Sequence, residues 1–319
     1  MKEKNCLIFG GSGHIGRQLI RSLTKNNYKL TVVTRNIHQK SLKIKTQANA
    51  GYLNIVEMSI FDENKLRKLF SENNICINLV GILYEKNKKN SFENLHTNFP
   101  AFLAKLCDEY GLSQFIHISA LGIENSKESK YSKSKLDGES KILDYFPKST
   151  ILRPSIVYSV DDNFTTTFMT LLKRLPVFPV YYGGETKFQP IHCSDLIEII
   201  YYMIKNNIKS EVIECVGPEI LSFKDILQKL LISINRKRLI LPVPLIFGKI
   251  IASILEKMPQ PLLTRDQLKI LKHDNIATKN NKTQKDFGIN SNRIFDEEIK
   301  KYSYMWREGG QFSTDKYTN

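Results

Sequence analysis

Tyr131 and Lys135 stand four residues apart, one helical turn, so a phenol and an ammonium share a face. Such a pair can run a reduction. The ammonium depresses the phenol's pKa from about 10 and holds a ribose, while the phenol passes a proton to a carbonyl receiving hydride. In a chain with 36 lysines the spacing alone selects nothing, since Tyr84/Lys88 and Tyr201/Lys205 match it as well. Position selects Tyr131. It opens the helix after the fifth strand-like run, and that run ends on Ser119, whose hydroxyl would bond and orient a substrate oxygen. Tyr84 lies in a polar loop with Glu85, Lys86, Lys88 and Lys89, and Tyr201 sits on an apolar helix face suited to core packing.

A second constellation lies near the start of the chain. Gly10, Gly13 and Gly16 follow the apolar run Cys6–Phe9 and lead into the helical run Ile15–Leu23. In a nucleotide-binding βαβ unit the first glycine makes the tight turn and the second lets a pyrophosphate approach the backbone. The third packs helix on strand, and the amides at the helix start, here His14 and Ile15, hold the phosphates. A purely structural glycine turn is the alternative. The second strand ends Thr34-Arg35, with Thr34 where a ribose-binding carboxylate would stand in an NAD site. A guanidinium there pairs with a 2′-phosphate, which favours NADP(H) over NAD(H); a solvated arginine is the bland reading. Asp62 can accept from an adenine amino group or cap the helix over 62–71, and the two roles are compatible. Gly81 either admits a cofactor close to the backbone or simply ends a strand.

The elements that must position these residues alternate along the chain. Strands are expected at 5–9, 29–34, 54–58, 75–80, 114–119 and 149–153. Helices are expected near 14–26, 62–71, 93–109 and 131–145, with 36–51 irregular or holding only a short helix. That order predicts an α/β fold, a Rossmann-type doubly wound parallel sheet with a smaller, mostly helical C-terminal lobe. The nucleotide domain is drawn over 1–158 with returns near 187–216, and the second lobe over 159–186 and 217–319. In that lobe a helix near 163–173 and a Pro/Gly-rich turn over 176–184 are expected, and in the returns to the first domain a strand at 187–192, a helix at 194–206 and a strand at 211–216. Capping-box helices from Ser222 to about Ser233 and over 265–273 complete the second lobe.

Composition narrows the class. With 319 residues, 41% of them hydrophobic, the chain can bury a full sheet and a second lobe. Its five cysteines are scattered without C-x-x-C spacing, so neither a disulfide frame nor a metal site is expected, and a reducing compartment fits. No signal or transit segment precedes the first strand, so a cytoplasmic location is expected. The apolar stretch Leu239–Leu255 contains Pro242, Pro244 and Lys249, so it is read as a buried or interfacial helix rather than a membrane span. The net charge of +15 comes from lysines spread among Asn and Ile, with no recognition helix or aromatic-basic stripe, so nucleic acid is not an expected partner. Weak attraction to a membrane surface stays open.

Taken together, Ser119, Tyr131, Lys135 and the glycines at 10, 13 and 16 resemble the short-chain dehydrogenase/reductase superfamily in its extended or atypical branch. The segments NLVGILYE (78–85), HISALG (117–122), YSKSKLDGE (131–139), ILRPSIVY (151–158), FQPIHCSDL (188–196) and LLTRDQLKILKHDN (262–275) are similar to one atypical group. That group contains the nucleotide-binding accessory subunit of respiratory complex I and its bacterial relatives, and the similarity covers nearly the whole chain. The resemblance implies a bound NADPH in a protein docked on the peripheral arm of complex I, at the inner face of the respiratory membrane. By that resemblance the three glycines lie on the pyrophosphate, Arg35 on the 2′-phosphate and Asp62 near the adenine. Lys135 lies on the nicotinamide ribose, with Pro154 to Ile156 beside the nicotinamide.

Two departures stand out. Ser119 and Tyr131 are only 12 residues apart, and Ser159-Val160-Asp161 replaces the Gly-Pro that often follows the VY segment. Both weaken a sugar-nucleotide epimerase reading. Two functions remain open: an accessory or assembly subunit whose cofactor is a structural strut, or an active NADP-dependent reductase, dehydrogenase or epimerase. The substrate of the latter would be a quinone-pathway, steroid-like or sugar-derived carbonyl compound.

Overall fold

The computed structural model describes residues 4–59 and 62–312. The chain divides into two compact units, the first holding the residues up to Ala120 with Lys130–Arg153 and Leu196–Glu214. The second holds Leu121–Ser129, Pro154–Asp195 and the chain from Cys215 on. Of the residues drawn into the first domain, 121–129, 154–158, 187–195, 215 and 216 group here with the second unit.

In the first unit strands and helices alternate: β1 (Asn5–Phe9), α1 (His14–Lys25), β2 (Lys29–Thr34), α2 (Ile37–Lys45), β3 (Leu53–Glu57), α3 (Glu63–Ser71) and β4 (Ile75–Asn78). A π-helical turn, Glu93–Asn98, runs straight into α4 (Phe99–Glu109), followed by β5 (Gln114–Ile118), α5 (Lys130–Tyr145) and β6 (Thr150–Pro154). The strands lie in the order β6-β5-β4-β1-β2-β3, all parallel, with Glu211–Cys215 beyond β6. The chain therefore winds outward in both directions from the β1/β4 boundary. Phe9 at the end of β1 is in register with Val33 of β2 and Asn78 of β4, and Asn78 with His117 of β5. This reversal point at the carboxyl ends is where open α/β sheets bind ligands.

Apolar periodicity accounts for most of these elements. α1 buries Gly16, Leu19, Ile20 and Leu23, and a core of Leu7, Phe9, Leu66, Phe70, Leu103, Phe115 and Ile151 lies under the sheet. Removing one such side chain costs about 2–5 kcal/mol. α2 is the exception, a nine-residue helix within the stretch expected to be irregular. It buries only Ile44 and owes its start to Asn36, whose side chain accepts from Gln39 N–H at 3.0 Å. The expected helix over 93–109 is two pieces, because Pro100 lacks the amide that would reach the His96 carbonyl in an α-helix.

The second unit carries α6 (Thr165–Arg174), α7 (Cys193–Lys205, which spans the border between units), α8 (Phe223–Ser233), α9 (Leu245–Leu255), α10 (Arg265–Ile270) and α11 (Phe295–Ser303). Capping boxes open α8 at Ser222/Asp225 and α10 at Thr264/Gln267, and α10 stops short of residue 273. Its core joins Tyr158, Phe178, Phe188, Phe223, Leu230 and Phe295. The expected turn at 176–184 contains a strand, Val177–Val180, paired in parallel with Leu239–Pro242. The expected strand at 187–192 is broken at Gln189-Pro190 into two short ones. The apolar stretch 239–255 is a strand and then a helix, and it is not buried: α9 buries only Gly248 and Ala252. All five cysteines are buried and none forms a disulfide. Among the described residues no helix is long and apolar enough to cross a membrane, and no cluster could hold a metal ion.

Candidate functional site

The three glycines of the first turn do different work. Gly10 has φ +82°, and a Cβ there would lie 2.9 Å from the Leu79 carbonyl carbon, so the fold itself requires it. Gly16 is required too, since its Cβ would sit 2.5 Å from Gly11 Cα. Gly13 is not. Its φ is −72°, and the nearest atom to a Cβ, the Gly10 oxygen, is 3.4 Å away. It is exposed, it is the N-cap of α1, and it offers no side chain to the first-turn amides of the helix His14 and Ile15 begin. No acidic residue occupies that turn. The backbone there suits a phosphate, and a Cβ at Gly13 would stand in its way.

Gly81, just past β4, repeats the pattern. It is exposed, has ordinary backbone angles, and its Cβ would make only normal contacts, 3.6 Å from Lys135 Nζ and 3.9 Å from His96 Nε2. The protein gives no steric reason for glycine at 13 or 81; a dinucleotide laid along these strand ends supplies one. The residues present fit such a group.

Around Gly81 the chain gathers Lys135, His96, Tyr131 and the end of β5. Lys135 is buried on α5 and donates to the Ile118 carbonyl at 3.1 Å, the residue before Ser119. Burial lowers its pKa from 10.5 to about 8, against a raising effect of Glu139. Tyr131, at the start of α5 and only half-buried, has its pKa raised by burial from 10.0 to about 12. The expected depression of the phenol by Lys135 is therefore not found: the ammonium is itself desolvated and committed to a carbonyl. The Ser119 hydroxyl is 95% buried, with only 5% of the residue exposed, and finds no hydrogen-bond partner among the described residues. A hydroxyl withheld from both water and protein is stabilised by any ligand oxygen that reaches it.

Two histidines absent from the expected set complete the site. Ile82 N–H donates to His96 Nε2 at 3.0 Å, which puts the ring proton on Nδ1, and Nδ1 donates to Ser134 Oγ at 3.0 Å. The Ser134 hydroxyl then donates to the Tyr131 carbonyl at 2.8 Å. Burial, then the charge of Lys135, pushes the His96 pKa down to about 2, so the ring is neutral. It stacks on Phe92 at 5.3 Å and meets the Tyr131 ring edge-on at 5.2 Å. This packing depends on Gly138, seven residues beyond Tyr131 on α5: a Cβ there would be 1.9 Å from the His96 carbonyl oxygen, the one Pro100 leaves without its amide. On β5, Asn78 Nδ2 donates to His117 Nδ1 at 3.1 Å while Asn78 Oδ1 accepts from Val80 N–H. His117 is fully buried and neutral, and its Nε2 finds no partner among the described residues. His117 opens one of the segments whose wording carries the resemblance and His96 lies outside them all, and neither has a spacing that marks it.

The remaining expected residues fall as follows. Arg35 is exposed at the end of β2, with Nη1 donating to Asn90 Oδ1 at 3.0 Å. Asp62 caps α3, accepting from Lys65 N–H at 3.2 Å, the structural half of its expected role. The Thr34 hydroxyl is buried without a partner among the described residues. Pro154 and Ile156 belong to the second unit.

Residues 6–215, about two thirds of the chain, match the NAD dependent epimerase/dehydratase family, and the chain belongs to that family. It is 26% identical over 310 residues to the NADH dehydrogenase [ubiquinone] 1 alpha subcomplex subunit 9, mitochondrial, of Dictyostelium discoideum, covering 96% of this chain and 86% of that one. Against the NADH-ubiquinone oxidoreductase 40 kDa subunit, mitochondrial, of Neurospora crassa it is 25% identical, covering 88% and 74%. Among solved structures it is similar in fold to the UDP-glucose 4-epimerase of Thermotoga maritima, with TM-score 0.70, 16% identity, and 94% and 97% of the two chains covered. The dTDP-glucose 4,6-dehydratase DesIV of Streptomyces venezuelae, solved with NAD and TYD bound, gives TM-score 0.70 at 14% identity over 95% and 96%.

Proposed function

We propose that this member of the NAD dependent epimerase/dehydratase family binds NADP(H) along the carboxyl edge of its first unit and serves as an accessory or assembly subunit of respiratory complex I. The bound cofactor then acts mainly as a strut, stabilising the native state by mass action because the unfolded chain has no site for it. The observation that carries the binding is the pair Gly13 and Gly81, glycines the fold itself does not require. The complex I assignment rests on the relatives of similar length whose names place them there.

The roles follow from the geometry. Amides at the start of α1, with Gly13, take the pyrophosphate, and Arg35 takes the 2′-phosphate in place of the carboxylate that NAD would need. Lys135 holds the nicotinamide ribose beside Gly81. When bound, the cofactor can supply a hydride. Tyr131, protonated at neutral pH with a pKa near 12, is a proton donor but a poor base, which favours the strut over turnover in the oxidative direction. The exposed apolar residues of α9, with Lys249 and Lys257, serve docking on the peripheral arm at the inner face of the respiratory membrane.

One observation favours a second reading, an active NADP-dependent reductase on a quinone or other small carbonyl compound. The unpartnered Ser119 hydroxyl stands where a substrate oxygen would be polarised. The experiment is to purify the protein, identify its bound nucleotide, and follow NADPH oxidation with quinones and small carbonyl compounds. The strut reading expects bound NADPH, no repeated turnover, and co-migration with respiratory subunits. Turnover abolished by Tyr131→Phe supports the reductase, and failure to co-migrate removes the complex I assignment.

A further inference from the structure

We infer that Asn90 is the positioning residue that makes Arg35 selective for the 2′-phosphate. This deepens the NADP(H) reading above and rests on it. Arg35 carries its bond to Asn90 across 55 residues of sequence, at 3.0 Å. Neither Arg35 nor Asn90 has an ion-pair partner among the described residues. The acceptor is a carboxamide, so it orients the guanidinium without neutralising it. A carboxylate in the same place would hold the arginine more tightly and cancel the charge that a phosphate needs.

The amide is itself held the right way round. Asn87 Oδ1 accepts both from Asn90 N–H and from Asn90 Nδ2, each at 2.9 Å. With Nδ2 spent on Asn87, only Oδ1 can face Arg35. Lys86 N–H donates to the Asn90 carbonyl at 3.1 Å, and Asn94 Nδ2 donates to the Lys88 carbonyl at 2.7 Å, which closes the loop on itself. The loop is therefore built, although it is exposed. A guanidinium has five N–H donors, so the one given to Asn90 leaves a fork for phosphate oxygens. From the other side, in the first turn of α2, Lys40 senses the same charge: burial and then Arg35 hold its ammonium below the usual lysine range. Arg35 and Lys40 repel each other, although the Glu57 carboxylate accepts from Ile37 N–H nearby at 3.1 Å, and an anion of two charges relieves that repulsion.

The test measures NADPH and NADH affinities by nucleotide fluorescence on the full chain stripped of nucleotide, for wild type, Asn90→Ala and Asn90→Asp. NADH is the internal control for folding, because it uses every contact except the 2′-phosphate. Asn90→Ala is expected to weaken NADPH about 5- to 10-fold and NADH less than 2-fold, as loss of one orienting hydrogen bond to a charged group implies. Asn90→Asp is expected to weaken NADPH further while keeping Arg35 bonded. Equal losses of NADPH and NADH in Asn90→Ala, or an Asp variant that still prefers NADPH as wild type does, would overturn the role of Asn90 alone. A wild type with no preference for NADPH would overturn the cofactor reading, and this inference with it.

Discussion

The carboxyl edge of the first unit and the outer face of α9 in the second are unfinished in opposite ways. The edge buries polar atoms that find no partner among the described residues: Ser119 Oγ, His117 Nε2 and the Thr34 hydroxyl. α9 exposes apolar side chains that find no cover, with Ile246, Phe247, Ile250 and Ile254 each more than half exposed. A buried unpaired polar atom costs about 1–3 kcal/mol, and a small polar ligand recovers it. An exposed apolar patch has a surplus that only a large surface can cover. One chain thus presents two unlike surfaces, one whose chemistry suits a small polar ligand and one that suits a broad apolar surface.

That contrast can be broken at several points. The largest effect is expected at Gly138, where alanine would drive a Cβ into the His96 carbonyl. Gly138→Ala should lose the cooperative thermal transition or most of its stability, while Gly81→Ala, which meets only ordinary contacts, should keep it. If both variants melt alike, the division between glycines of the fold and glycines of the ligand is wrong.

Next comes α9. Ile250→Lys with Ile254→Lys should leave the melting temperature within about 2 °C and NADPH affinity unchanged, because those side chains are exposed. Co-migration with respiratory subunits should disappear. A collapse in stability would show that the face is packed, not waiting for a partner.

Lys135 makes the first unit depend on pH. Its folded pKa, about 8, lies below the ordinary 10.5, so between these values the unfolded chain binds the proton more tightly. Stability therefore rises with pH across that window, by roughly 3 kcal/mol for a group this buried. Urea midpoints between pH 7.5 and 10 should climb in wild type and stay flatter in Lys135→Met. Parallel curves would contradict the burial assigned to this ammonium.

The smallest effect is expected at Ser119 and Thr34. Ser119→Ala or Thr34→Val removes a buried hydroxyl with no partner, so the ligand-free protein should be unchanged or more stable by up to about 1 kcal/mol. Clear destabilisation in calorimetry would mean that these hydroxyls already serve the fold.

Much of the first unit was legible from residues alone, because strands buried on both faces read as short apolar runs and the helices between them as stripes. β1, α1, β2 and β6 fall within a residue or so of expectation. α2 was not legible, since a helix that buries one side chain leaves no stripe and Asn36 alone does not announce it. The site was legible where spacing is local, in the glycines and in Tyr131/Lys135. It was hidden where contacts join distant segments: Asn90 to Arg35, His96 to Tyr131 and His117 to Asn78. The depressed phenol failed for a related reason. Spacing places Lys135 on the face of Tyr131, but burial acts on both groups, and only the structure shows how dry they are. At α9 an apolar run reads the same whether it is covered or bare.

The central claim is that a dinucleotide lies over Gly13 because the backbone there must be open to it. Calorimetric titration of nucleotide-stripped wild type and Gly13→Ala with NADPH tests this most directly, with thermal melts of both as the control. Wild type should bind, and Gly13→Ala should melt within a few degrees of it yet lose at least about 100-fold in affinity. Binding of equal strength by a folded Gly13→Ala protein, or no binding by wild type, would contradict it.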